Sequence, residues 1–312
     1  MKAPFYYDFP EVQLSHVSSP HLDTGLTLIK VPRGSATAID VRGGAVATRE
    51  QSCVEETSSD GTIDALVLAG GSTYGLEAAS GVMRKLFASR QYSSEFSDIP
   101  SVPSAIVYDW RNRTDSKVYP DREMGEQAWD LLKTGSSELG RVGGGTNVWV
   151  GKYMTGFDKE QSGLGMSFFV KDGFKLLAIT VVNAVGNVLD FQGQVLRGSW
   201  HSQSQNRYPI LPANLIAGSQ PESGNTTISC IITNARLRRD ELKRLAIMTH
   251  TGMARVIEPF HTPWDGDVMF SVSTGQLELN SSFSSFDLAI VAIHEMQKAV
   301  IQGATHGQHR IR

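Results

Sequence analysis

Thr226 is the residue of this 312-residue chain with the clearest chemical potential. It ends a polar stretch, Ser219-Gln220-Pro221-Glu222-Ser223-Gly224-Asn225, and opens a β-rich run, Thr227-Ile228-Ser229-Cys230-Ile231-Ile232-Thr233. Scission between Asn225 and Thr226 would place a free α-amine beside the threonine hydroxyl, a known arrangement for covalent catalysis. Such an amine, with an ordinary pKa of about 7.7–8.0, is partly unprotonated at neutral pH and can act as the base. The plain alternative is a loop leading into an ordinary strand.

Other residues could serve that chemistry. Asn183 ends the apolar run Ile179-Thr180-Val181-Val182. Burying its amide unpaired would cost about 1–3 kcal/mol, so it either bonds its own turn or points a donor at a developing oxyanion. Asp265-Gly266-Asp267 lacks the remaining ligands of a calcium loop. It is either a capped turn or a carboxylate pair that orients and polarises the nucleophile. Lys152, in Val150-Gly151-Lys152-Tyr153, reads on its own as a solvated lysine. His250 and His261 have no partner at metal-ligand spacing and read as structural.

Gly70-Gly71-Ser72-Thr73-Tyr74-Gly75 follows a strand and opens a helix, so a nucleotide loop must be weighed. It has neither the dinucleotide fingerprint nor a P-loop lysine, and Tyr74 breaks the nucleophile-elbow pattern. It reads as close backbone packing. No metal and no cofactor is expected.

These residues need elements to hold them. Strands are expected at 26–31, 36–42, 65–69, 105–108 and 268–272, and a hairpin from Gly163 to Val182 that turns at Lys171-Asp172-Gly173. Helices are expected to about Leu86 from the 70–75 turn, at 121–133 with Asp121 near the start, at 240–257, and at 288–301. The segment 201–225 reads as a surface loop. No internal repeat or linker divides the chain, so one α/β domain is expected, with more hairpin than βαβ connections.

Composition narrows the partners. A net charge of −3 argues against nucleic acid or an anionic membrane surface. Hydrophobic residues make up 40 %, ordinary for a globular protein. No apolar run approaches the roughly 20 residues that span a bilayer. Two cysteines, Cys53 and Cys230, without metal spacing and with no evident signal peptide, lead us to expect a cytoplasmic setting.

Three segments taken together, Gly224-Asn225-Thr226-Thr227-Ile228-Ser229, Pro259-Phe260-His261-Thr262-Pro263-Trp264-Asp265-Gly266-Asp267 and Ala69-Gly70-Gly71-Ser72-Thr73-Tyr74-Gly75-Leu76-Glu77-Ala78, resemble the DmpA-type family of self-processing aminopeptidases and amidases. The likeness runs from about residue 8 to about 300 and leans to the nylon-oligomer-hydrolase branch, because the nucleophile position holds threonine rather than serine and both aspartates are kept. The resemblance implies a four-layer αββα sandwich of N-terminal-nucleophile-hydrolase type, related to the ornithine acetyltransferases. It implies self-cleavage into residues 1–225 and 226–312. It also implies Thr226 as nucleophile, Asp265 and Asp267 as its acidic pair, Lys152 as an active-site lysine, Asn183 on the oxyanion side, and Tyr108 lining the pocket. A small amide or peptide substrate and a homo-oligomer, a tetramer by family likeness, would follow. Acyl transfer to an amine, or an uncut protein that only binds small amides, are the other readings.

Overall fold

The computed structural model describes residues 4–210, 224–280 and 283–306. Nine strands are joined edge to edge: β1 (Gln13–Ser18), β2 (Gly25–Val41), β3 (Thr48–Arg49), β4 (Thr62–Ala69), β5 (Ser104–Ile106), β6 (Leu164–Lys171), β7 (Phe174–Asn183), β8 (Thr226–Arg236) and β9 (Val268–Glu278). Their order is β6-β7-β8-β9-β2-β4-β5-β3, with β1 also on β2. Four helices of more than two turns flank them: α1 (Ala78–Ser89), α2 (Arg122–Asp130), α3 (Arg239–Met253) and α4 (Ser285–Thr305).

The alternation of apolar residues builds the layers. Leu177, Ile179 and Val181 of β7, with Ile228, Cys230 and Ile232 of β8, meet Leu14, Ile29, Leu66 and Leu68 in one core. The intervening residues Leu176, Ala178, Val182 and Ile231 point the other way, onto Leu242, Leu245, Met296 and Val300 of α3 and α4. Leu26, Leu28, Ala65 and Val67 face Ala79, Val82 and Leu86 of α1 and Ala128 of α2. Strands buried on both faces carry near-continuous apolar sequence, as these do. Three cores between two sheets and two helix pairs make a four-layer αββα sandwich.

β2 joins the two sheets. Residues 25–30 pair with β1 and β4, and residues 36–41 pair with β9. Sequence reading divides this stretch into two strands at Pro32-Arg33-Gly34. Instead the chain stays extended and its register on β4 shifts between Lys30 and Ser35. A bulge is where proline and glycine are tolerated inside a strand.

The hairpin forms as expected. β6 and β7 pair up to Lys171–Phe174, with Asp172 and Gly173 both at positive φ, the two-residue turn that suits right-handed strand twist. Two connections are parallel crossovers, β4–α1–β5 and β8–α3–β9. Asp121 caps α2, accepting from the Met124 N–H at 2.9 Å. In the glycine turn after β4, the Gly71 N–H donates to Asp109 at 2.8 Å, so that amide serves an internal carboxylate. Of the expected 201–225 loop, residues 211–223 lie outside the described residues, and Trp200–His201 pairs with Asn206–Arg207. Among the described residues no helix is long and apolar enough to cross a membrane.

Candidate active site

The site lies where the inter-sheet core ends. Thr226 is the first residue of β8, and its antiparallel partner is Asn183, the last residue of β7. Thr226 continues the row Ile228-Cys230-Ile232, and Asn183 continues Leu177-Ile179-Val181, both facing between the sheets. The period of two therefore delivers one hydroxyl and one amide, side by side, to the rim of that core. Both are buried.

Two donors converge on the carbonyl that precedes Thr226. The Thr226 hydroxyl donates to the Asn225 carbonyl oxygen. The Gly266 N–H donates to the same oxygen at 2.8 Å. Gly266 is held in place by its neighbours. Ala45 N–H binds the Asp265 carbonyl at 2.8 Å and Arg42 N–H binds the Asp267 carbonyl at 3.1 Å.

Asp265 and Asp267 are fully buried. Asp267 accepts the Thr227 N–H on Oδ1 at 2.7 Å. Asp265 accepts the Val185 N–H at 3.1 Å and both the N–H and the hydroxyl of Thr262. Burial, then the negative charge of Asp267, pushes the Asp265 carboxyl up to about 6.

Lys152 is not a surface lysine. Its backbone N–H pairs with the Val185 carbonyl, and its Nζ donates to Asn183 O at 2.7 Å and Asn183 Oδ1 at 2.9 Å. Burial holds the ammonium well below its usual range, against the opposing pull of Asp265. The Asn183 amide is shared. Its Oδ1 also accepts the Trp149 N–H, and its Nδ2 donates to the carbonyls of Tyr108 at 3.1 Å and Gly224 at 3.2 Å. Tyr108, just beyond β5, lies against Gly224. Gly224 has φ 83°, and a Cβ there would fall 2.3 Å from the tyrosine ring, so only glycine fits.

All seven residues singled out from the sequence thus lie in one linked constellation: Tyr108, Lys152, Asn183, Asn225, Thr226, Asp265 and Asp267. Sequence reasoning underrated two neighbours. His261 donates to Asp267, and His250 is buried against it, with ring centroids 4.4 Å apart. The available signal was local: His261 and Thr262 stand a few residues before two acids in a Pro-Trp-Asp-Gly turn. Among the described residues no group of three or more His, Cys, Asp or Glu could hold a metal ion.

The αββα layering places the protein among those with the N-terminal-nucleophile-hydrolase fold. The L-aminopeptidase D-Ala-esterase/amidase of Ochrobactrum anthropi, described as a variant of that fold, superposes with a TM-score of 0.68 over 94 % of this chain and 83 % of that one, at 17 % identity. Residues 7–307 match peptidase family S58. The 6-aminohexanoate-oligomer endohydrolase of Agromyces sp. strain KY5R is 36 % identical over 282 residues, 88 % of this chain and 76 % of that protein. Its namesake in Kocuria sp. strain KY2 is 34 % identical over 316 residues, covering 96 % and 85 %. The chain belongs to peptidase family S58, the DmpA family, and is a hydrolase of amide or peptide bonds.

Proposed function

We propose that this protein is a self-processing N-terminal-threonine amidohydrolase that cleaves short oligoamides or peptides. The observation that carries the reading is the convergence of the Thr226 hydroxyl and the Gly266 N–H on the Asn225 carbonyl oxygen. In self-cleavage Oγ1 adds to the Asn225 carbonyl carbon. Its proton passes to Lys152, whose ammonium form burial disfavours and whose Nζ is held by Asn183 O and Oδ1. The Gly266 N–H holds the oxyanion, clamped in advance as such a donor must be. The C–N bond then breaks as the Thr226 nitrogen takes the proton, and water hydrolyses the ester to leave an Asn225 carboxylate and a free Thr226 amine.

In turnover that amine replaces Lys152 as base. The hydroxyl attacks the substrate amide, the leaving amine takes the proton, and water releases the acyl group. Departure of Gly224 from Asn183 frees an Nδ2 donor for the substrate oxyanion, and one such donor contributes about 2.7–4 kcal/mol. Asp265 and Asp267 fix the strand that carries the nucleophile, and Tyr108 lines the acyl side. Likeness to the 6-aminohexanoate-oligomer endohydrolases supports linear oligoamides as substrates. The same reading takes the chain as one domain cut into 1–225 and 226–312 and assembled as a homo-oligomer, a tetramer by family likeness. Two free thiols favour the cytoplasm.

The test is the mass of the purified, denatured protein, with N-terminal sequencing of its fragments. Two pieces are expected, the smaller beginning at Thr226. Thr226→Ala is expected to stay folded, uncut and inactive. A Thr226→Ala protein that is cut and active would overturn the mechanism.

A further inference from the structure

We infer that His261 is a positioning residue that fixes Asp267 and, through it, the strand end that presents Thr226. For amide hydrolysis this rests on the proposed reading of Thr226 as nucleophile. For self-cleavage it rests on the proposed N-terminal-threonine reading.

His261 places two donors on one carboxylate oxygen. Its backbone N–H reaches Asp267 Oδ2 at 3.1 Å and its Nδ1 reaches the same atom at 3.0 Å. A carboxylate only accepts, so Nδ1 carries the proton. The other oxygen, Oδ1, takes the Thr227 N–H at 2.7 Å. Asp267 therefore ties the imidazole to the backbone immediately after the nucleophile. Among the described residues His261 is the only side chain that donates to it.

The ring itself is held firmly. Phe260 stacks on it at 3.9 Å between centroids, and His250 meets it edge-on at 4.4 Å. His250 is in turn anchored through Nδ1 to Asp40 at 2.9 Å. The backbone of His261 has φ 59°, in the left-handed region that few non-glycine residues adopt. That conformation brings its N–H and its ring onto the same oxygen, and strain of this kind persists where the surroundings over-determine it.

Two substitutions separate the donor from the backbone. His261→Gly keeps the positive φ and removes Nδ1. His261→Asn tolerates that φ and places its Nδ2–H near where Nδ1–H stood. Turnover of linear 6-aminohexanoate oligomers and the rate of self-cleavage on a denaturing gel are measured for both. For His261→Gly, kcat and the self-cleavage rate are expected to fall about 10- to 100-fold with KM within about twofold, the size of effect a misplaced catalytic group gives. His261→Asn is expected to recover both to within about threefold. Equal losses in the two variants, or wild-type rates in His261→Gly, overturn the assignment. Should His261→Gly not fold, a folded His261→Asn with losses of about tenfold or more overturns it alone. An uncut and inactive wild-type protein would instead sink the N-terminal-threonine reading, and this inference with it, an outcome distinct from any difference between the two variants.

Discussion

At the scale of single residues, the site is a set of ionisable groups kept from water by the strands that carry them. Asp265 shows the consequence for stability. Burial and the charge of Asp267 raise the native Asp265 carboxyl to about 6, whereas the unfolded chain loses its proton near the ordinary 3.8. Between those values the native state binds more protons, so this group's contribution falls as pH rises and levels off about one pH unit above the native value. Asp265→Asn cannot ionise and escapes the loss. Denaturant unfolding of Thr226→Ala and of Thr226→Ala/Asp265→Asn, both single continuous chains, isolates the effect. The stability difference is expected to move toward the Asn variant by at most about 1 kcal/mol per pH unit from pH 4 to 6, about 2 kcal/mol in all. A difference that stays constant across that window would show that Asp265 titrates normally. Thr226 and the two aspartates were legible in the chain because residue type and neighbouring sequence advertise them. The burial of Lys152 was not, because it depends on Asn183, at the end of β7, and Val185, just beyond it, meeting it from a distant part of the chain.

Elements bring these residues together by ordinary packing rules, and where two elements touch, the closest approach is made by glycine. α1 and α2 cross at Gly81 and Gly125. A Cβ on Gly81 would lie 2.0 Å from the Arg122 carbonyl oxygen, and one on Gly125 would lie 2.0 Å from that of Ala78. Inside an open helix, Gly→Ala is worth about 1 kcal/mol of added stability. Here the methyl forces the helices apart, so Gly125→Ala in the uncut Thr226→Ala chain is expected to lose about 1–3 kcal/mol by denaturant unfolding. Self-cleavage of Gly125→Ala with Thr226 intact is expected at the wild-type rate, because α1 and α2 cover the sheet face away from the inter-sheet core. A gain in stability would mean the helices are free to separate. The β6–β7 hairpin could be read in advance, since alternation and Asp172-Gly173 specify it locally. The unity of β2 could not. Pro32 and Gly34 signal a break, but pairing with β4 on both sides of the bulge, and with β9 beyond it, keeps the chain extended.

For the whole molecule, α/β character is written in the alternation of strand and helix patterns. The four-layer arrangement is not, because it follows from which faces of β7, β8 and β2 turn toward each other. That arrangement determines what a cut before Thr226 would do. Residues 226–312 supply β8, β9, α3 and α4, while β7 and β2 come from the other side of the cut. β8 is paired with β7 from Leu176–Thr233 to Asn183–Thr226, and β9 is paired with β2 from Ser273–Ala36 to Val268–Val41. Separating the pieces would open both the inter-sheet core and the core beneath α3 and α4. Hydrophobic burial on that scale far exceeds the contribution of one peptide bond at a strand end. The cut protein is therefore expected to elute from a sizing column as one species containing both pieces, and to separate only in strong denaturant. Pieces that part in native buffer would show that the bond before Thr226 holds the sandwich together, and a processed enzyme of this architecture could not then persist.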